Sequence, residues 1–472
     1  MKGRGTVAGN LNDANPGSVL EALDSGLDQS IERLYALLKI PSISTDPAHR
    51  GDCEQAAAWL ARELSDLGFR ADVRATNGLP MVIGHYGAGD GKPHVLFYGH
   101  YDVQPPDPLE MWQSPPFEPR MVEEGGIKRI VGRGTADDKG QLMTFIEACR
   151  AYIKAEGKLP LSVSVMLEGE EETGSPSLKP FLDKHKKELK ADVALVCDTD
   201  MWDTATPAIT TMLRGLVLEE VTVTGPNRDL HSGLFGGPAL NPIHALGRVL
   251  GLLHNEQGRI VIPAFYDGVN DLAPELQSQW NRLDFDARKY LAEIGQTRAA
   301  GEANHNILEQ MWARPTCDVN GIWGGYTGPG SKTVIPSKAH AKVSFRLVNR
   351  QSPEKVQAGF REFVRKRLPA DFKAEFHSHG ASPALQLPLS SPYLQKARVA
   401  LKAEWGKEAV LKGSGGSIPI VGSFKRDLGM DSLLIGFGLD DDRIHSPNEK
   451  YNLLSFHKGA RSWVRVLAEL AR

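Results

Sequence analysis

The sequence predicts an α/β fold with a mostly parallel sheet and flanking helices, interrupted by an inserted α+β domain. Three observations lead there. Short apolar runs at 81–86, 94–99, 161–167 and 192–197 alternate with helical stretches, which is the pattern of a layered sheet. Acidic and histidine clusters fall at the ends of those runs, where open α/β sheets bind ligands. Near residue 212 the continuous apolar runs give way to strict alternation, and near 383 a Pro/Ser-rich stretch, SPALQLPLSSP, closes that region.

The elements follow in order. Residues 18–39 place Leu20, Leu23, Leu27, Ile31, Leu34 and Leu38 at three- and four-residue steps, predicting a helix. Further helices are expected at 53–67, 138–156 and 177–189. In the inserted region GLVLEEVTVTG (215–225) alternates like a half-buried strand. Residues 241–255 form an amphipathic helix with Asn241 as N-cap and Pro242 at its first position. The strand 339–348 puts Ala341, Val343, Phe345 and Leu347 on one face, and His340, Lys342, Ser344 and Arg346 on the other. This region is expected to be a sheet with few helices. A helix at 393–405, a buried strand at 432–437 and an amphipathic helix at 453–471 follow. The expected division is a loose tail at 1–17, a first domain at 18–211 and 385–472, and the insertion at 212–384.

Composition narrows the class. The chain has 472 residues, 41% apolar and 24% charged, the profile of a globular protein of about two to four domains. A run of about 18 apolar residues, enough to span a membrane, is absent. With 55 Lys+Arg against 58 Asp+Glu the net charge is -3, without the basic excess of a nucleic-acid binder. Cys53, Cys149, Cys197 and Cys317 form no C-x-x-C pair, so a thiolate zinc knuckle is not expected and a reducing cytoplasm is. The first residues lack the apolar core of a signal peptide.

Five clusters carry the chemistry. Gly99-His100-Tyr101-Asp102 follows an apolar run, and Asp102, two residues on, can orient the His100 ring as carboxylates do at metal sites. By itself this pair also suits a strand-end histidine with no metal. Gly132-Arg133-Gly134-Thr135-Ala136-Asp137-Asp138-Lys139-Gly140 opens a helix, with neither dinucleotide nor Walker spacing. Asp138 suits a helix cap and Asp137 a ligand. Glu168-Gly169-Glu170-Glu171-Glu172 packs four carboxylates into five residues, which repel unless cations neutralise them. Cys197-Asp198 follows the run DVALV, and Asp440 to Glu449, with His445, follows SLLIGFG. His100 and His445 offer neutral nitrogens; Asp137, Glu172 and Asp198 offer three negative charges. Two divalent cations would leave room for one bridging hydroxide. Mixed imidazole and carboxylate ligands suit zinc, and also manganese or cobalt.

The order H-x-D, G-R-G-x-x-D-D-K-G, E-G-x-E-E-x-G-S, a later strand-end Asp and H-S-x-N-E resembles the dinuclear metallopeptidases. That family includes carnosine-type dipeptidases, glutamate carboxypeptidases, aminoacylases and desuccinylases. The resemblance is greatest to the cytosolic nonspecific dipeptidase branch. It is carried by FYGHYDVQPP (97–106), LEGEEETGS (167–175), LRGL (213–216), DLHSGLFGG (229–237), SKTVIP (331–336), FRLV (345–348), GGSIPI (415–420) and IHSPNEK (444–450). It spans about residues 30 to 470.

The resemblance implies a zinc-exopeptidase-like catalytic domain with an inserted lid and dimerisation domain. It implies that His100, Asp137 and Asp198 bind one metal and that Asp137, Glu172 and His445 bind a second. Glu171 would be the general base and Asp102 would orient His100. The peptide after Asp137 would be cis. His231 would reach across a homodimer interface to stabilise the oxyanion in the other subunit's site. Arg346 would hold the substrate's terminal carboxylate, with Thr333, Gly416 and Ser417 as further contacts. Glu170 departs from the family pattern, and the trailing x-G-S sets the register that selects Glu171 and Glu172. The implied reaction is hydrolysis of dipeptides or small peptides with a free carboxyl end. Two other readings remain open: hydrolysis of N-acyl amino acids by the same metal chemistry, and a noncatalytic binding protein on this fold.

Overall fold

The structure, a computed structural model, describes residues 16–89, 91–416 and 418–472. The expected tail at 1–17 therefore lies almost wholly outside the described residues, and so does Ser417. The chain divides into two compact units. One comprises the residues up to Ile209 with Leu389–Val410 and Ser423–Arg472; the other comprises Thr210–Pro388 with Leu411–Gly422.

The first unit is built on a mixed sheet. Six of its strands lie in the order Arg70–Arg74, Met81–Tyr86, Ser162–Glu168, His94–His100, Val193–Val196 and Asp431–Leu434. The first two strands are antiparallel to each other, and the second is antiparallel to Ser162–Glu168. The other pairings are parallel. These three parallel strands are buried along nearly their whole length because both their faces are covered. Helix Lys139–Glu156 packs between this sheet and helix Leu453–Leu470 and is buried along most of its length. Phe97 stacks on Phe145 at 3.8 Å between ring centroids, and Trp463 meets both edge-on. Each such fully buried aromatic contributes about 1.5–3 kcal/mol by leaving water. The indole N–H of Trp463 donates to the Thr144 hydroxyl at 3.1 Å, so this polar atom is paired inside the core.

The stretch expected as one helix at 18–39 is two, Gly17–Ser25 and Leu27–Leu38. Gly26 separates them: its N–H turns back to Leu23 at 3.0 Å, and a glycine inside a helix costs about 1 kcal/mol against alanine. A small antiparallel sheet joins Arg120–Glu124, Ile127–Val131 and Lys450–Asn452. That pairing brings the segment after His445 onto the loop that carries Asp137.

The second unit contains a four-stranded antiparallel sheet in the order Thr316–Gly324, Lys338–Leu347, Gly215–Thr224, Lys373–Ser382. Val217, Val221, Val223, Ala341, Val343 and Phe345 line its buried face against Phe360 and Phe363 of helix Pro353–Arg365. Asn241 caps helix Pro242–Gly251 by accepting from the Ile243 N–H at 2.9 Å. Helices are more numerous here than the sequence suggested: six lie between residues 215 and 382. Pro274–Trp280, Ala287–Glu293 and Ile307–Trp312 span only six or seven residues, too short for periodicity to reveal. Among the described residues no helix is long and apolar enough to cross a membrane.

Candidate metal centre

Register explains why distant residues meet. In the parallel ladders His100 lies opposite Glu168, Tyr98 opposite Val196, and Val196 opposite Leu434. The carboxyl ends of four strands therefore share one edge. His100 ends its strand; Glu171 and Glu172 follow Glu168 in a short 3₁₀ turn; Asp198 is two residues past Val196. His445 sits in the loop beyond Leu434, and Asp137 lies just before helix Lys139–Glu156.

Two groups of ligand-type atoms form there, His100/Asp137/Asp198 and Asp137/Glu172/His445, each within a 4.8 Å span. His100 Nε2 is 3.1 Å from Asp137 Oδ1 and 3.9 Å from Asp198 Oδ2. His445 Nε2 is 2.9 Å from Asp137 Oδ2 and 3.3 Å from Glu172 Oε2. Asp137 thus turns one oxygen toward each group. The Asp137–Asp138 peptide is cis.

The electrostatics call for cations. Burial, and then the Asp137 and Asp138 charges, push Asp198 well above the usual carboxylate range. Burial would raise Asp137 too, but hydrogen bonds from His100 and His445 hold it low. Hydrogen bonds to Asp137 and Glu172 push His445 up to about 10. The carboxylates thus draw positive charge onto the histidines. Glu172 Oε1 is buried with no hydrogen-bond partner. An orphaned carboxylate oxygen beside mixed nitrogen and oxygen donors fits a divalent ion.

Asp102, fully buried, ties the centre together. His100 Nδ1 is 3.1 Å from its backbone oxygen and 3.4 Å from its carboxylate. With a cation between His100 and the carboxylates, a proton kept on Nδ1 would leave the Nε2 lone pair for that ion in place of the hydrogen bond to Asp137. The Asp102 carboxylate also accepts from the N–H groups of Glu171 at 3.3 Å and Glu172 at 3.1 Å. One residue, through its backbone oxygen and its carboxylate, therefore places the His100 ring and the glutamate turn together. Glu171 is raised by burial, and the charges of Glu172, Asp102 and Asp137 add to that against His100. Glu170 faces elsewhere: its Oε1 accepts from the Leu79 N–H at 2.9 Å. A Cβ on Gly78 would come within 1.7 Å of that oxygen, so the glycine there makes room for Glu170.

Three residues bearing on the centre received no role from sequence reasoning. Gln104 donates from Nε2 to Glu172 Oε2 at 2.8 Å. Glu449 is fully buried and accepts from the N–H groups of Gly134 at 2.9 Å, Ala136 at 2.8 Å and Asp137 at 3.2 Å. Arg133 completes its shell with an ion pair of 2.7 Å. Glu449 thus nails down the loop that presents Asp137. Its place at the end of H-S-x-N-E was the available signal; its partners, over 300 residues away in sequence, were not visible.

The second unit carries the other candidates. His231 is exposed, and its Nδ1 accepts from the Gly233 N–H at 3.0 Å, capping the short helix Ser232–Phe235. Thr333 lies beside it: its carbonyl accepts from the Ser232 N–H at 2.9 Å, and Val334 pairs with His231. Arg346 stands on the polar face of its strand and borders a cavity of about 600 Å³. The Gly416 N–H donates to the Ser414 hydroxyl at 3.2 Å.

Comparison with known proteins agrees with this geometry. The family model described as Peptidase family M20/M25/M40 matches residues 96–469. The Cys-Gly metallodipeptidase DUG1 of Candida albicans is 32% identical over 455 residues, covering 92% of each chain. The human Beta-Ala-His dipeptidase is 30% identical over 473 residues, covering 96% of this chain and 92% of that one. The structure of the M20 family metallo-carboxypeptidase Sso-CP2 from Sulfolobus solfataricus aligns with a TM-score of 0.79 at 30% identity, covering 94% of this chain and 99% of the other.

Proposed function

The chain belongs to peptidase family M20/M25/M40, and from that premise we propose that it is a metallodipeptidase cleaving dipeptides with a free carboxyl end. The observation that carries this reading is the pair of ligand groups sharing Asp137, beside a glutamate turn held by Asp102.

His100, Asp137 and Asp198 would hold one ion; Asp137, Glu172 and His445 would hold the other, with zinc favoured over manganese or cobalt. Bound there, the ions supply Lewis-acid polarisation of the scissile carbonyl and lower the pKa of water. Glu171 takes the proton of the attacking water and returns it to the leaving amine. Its raised pKa suits both halves of that exchange. Asp102 keeps the His100 ring and the Glu171 turn in register. Arg346 takes the terminal carboxylate, since a guanidinium fork can make two parallel hydrogen bonds to it. Thr333, Gly416 and Ser417 complete the substrate contacts. The four cysteines, all free and buried, support a cytoplasmic home.

The zinc- or manganese-loaded chain should hydrolyse free dipeptides in preference to the matching N-acetyl amino acids. Arg346→Ala should raise KM about 10- to 100-fold for free-acid substrates, the scale of lost charged hydrogen bonds, and affect C-terminal amides far less. A preference for the acyl compounds would move the protein to the amidohydrolase reading.

A homodimer is part of this proposal, with His231 serving the oxyanion in the site of a second copy. Exposed apolar side chains near it, Leu234 at 76% and Leu240 at 47%, support an interface there. Mixing His231→Ala chains with Glu171→Gln chains should restore activity, because one site of the mixed dimer regains both groups. Heterodimers that stay inactive would remove the cross-subunit role.

A further inference from the structure

Arg214 and Arg346 line one cavity beside the four-stranded sheet. Arg346 lies opposite Leu216 in the antiparallel ladder, and Arg214 precedes Leu216 by two residues. Side chains at 216 and 346 therefore fall on the same side, and Arg214 stands just ahead of the strand Gly215–Thr224 at that end of the ladder. Arg346 also lies opposite Thr316 of the next strand, with Asp318 two residues on. This face borders the cavity of about 600 Å³, and both arginines line it.

Two guanidinium groups so placed repel each other. The pKa of Arg214 is drawn down to about 10, by burial first and then by the Arg346 charge. The neighbouring acids relieve this only in part, through the Asp318 charge. Glu302 is committed to Arg314 and Arg259. Asp318 is exposed and accepts from the Thr316 hydroxyl at 3.0 Å. His254, also in the cavity wall, is held below its ordinary value by burial and adds no charge at neutral pH. Arg214 and Arg346 set against Asp318 leave one positive charge in surplus.

Arg214 is nevertheless held in place. Its Nε donates to the Gly415 carbonyl at 3.2 Å, while Nη1 is buried without a hydrogen-bond partner. A Cβ at Gly415 would lie 2.9 Å from Nη2, so a glycine there lets the turn close on the guanidinium. A cation anchored along one edge by backbone, unpaired along another and next to a like charge is costly unless an anion joins it.

We propose that Arg214 is a second guanidinium of the substrate-carboxylate site, acting with Arg346 to make a free C-terminal carboxylate a requirement of the enzyme. One carboxylate matches the single surplus charge, so the site takes a monoanion. This rests on the reading of Arg346 given above.

The test compares alanyl-glycine with alanyl-glycinamide on the metal-loaded full chain, for Arg214→Ala, Arg214→Lys and Arg346→Ala. Circular dichroism checks each fold, and calorimetry measures alanyl-glycine binding in a Glu171→Gln background. Arg214→Ala should lower the acid-to-amide ratio of kcat/KM by about 10- to 100-fold and weaken alanyl-glycine binding alike. Arg214→Lys should recover only part, because it keeps the charge without the fork. Equal losses on acid and amide, or no loss, would overturn the proposal and leave Arg214 as a support for the Gly415 turn. If Arg214→Ala does not fold, Arg214→Lys decides: an unchanged ratio overturns the proposal. A selective effect of Arg346→Ala without one of Arg214→Ala sinks this inference alone; no selective effect of either sinks the reading beneath it.

Discussion

Glu171→Gln should reduce kcat by about 10²- to 10⁴-fold, the range that a positioned general base contributes, while the chain still binds both ions. The substitution is nearly isosteric, and the Glu171 N–H to Asp102 comes from the backbone, so the turn survives the change. Glutamine cannot accept the proton of the attacking water or deliver it to the amine. Glu171 is absent from both ligand groups, so metal content should stay at the parent's level by elemental analysis. KM should move little, because the lost interaction belongs to the transition state. The same experiment decides the register of the glutamate run. Glu170→Gln should leave chemistry in place, since Glu170 is bound to the Leu79 N–H. Retained turnover in Glu171→Gln, or abolished turnover with intact fold in Glu170→Gln, would show the base misassigned.

Asp137→Asn should remove activity by at least about 10³-fold through a different route, the loss of both ions. Asp137 alone belongs to both ligand groups, with one oxygen toward His100 and the other toward His445. An amide keeps the shape but not the charge, and it offers one acceptor oxygen where the carboxylate offers two. The clearest readout is linkage: an ion that binds only the folded chain raises its stability in proportion to RT ln(1 + [ion]/Kd). Titration with zinc should raise the melting temperature of the parent and raise that of Asp137→Asn far less. Glu171→Gln should follow the parent in this titration, which separates failed chemistry from failed binding. A variant that still carries two ions per chain would end the shared-ligand assignment.

The sheet and the centre were legible in the sequence to unequal degrees. Continuous apolar strands such as HVLFYGH reveal themselves because both faces are covered, and residues i and i+2 on one side place Asp102 by His100 without any tertiary information. The ligand types are legible for a chemical reason: with no paired cysteines, imidazoles and carboxylates are the side chains left to hold such ions, and a crowd of glutamates after a buried strand repels itself unless cations neutralise it. The short helices of the second unit were missed because one or two turns carry no readable period.

What the sequence determined by itself is local: element type, the strand-end position of each chemical group, and the motif set that identifies the family. Tertiary structure decided what depends on strand order and register. Placing Ser162–Glu168 on one side of His94–His100 and Val193–Val196 on the other brings His100, Glu172 and Asp198 together. The pairing of Lys450 with Val131 delivers Glu449 to the loop of Asp137. The pairing of Gly215–Thr224 with Lys338–Leu347 sets Arg214, just ahead of the first strand, within reach of the Arg346 charge. Such neighbours are chosen by the burial of whole strand faces, a sum over many residues that no single motif records.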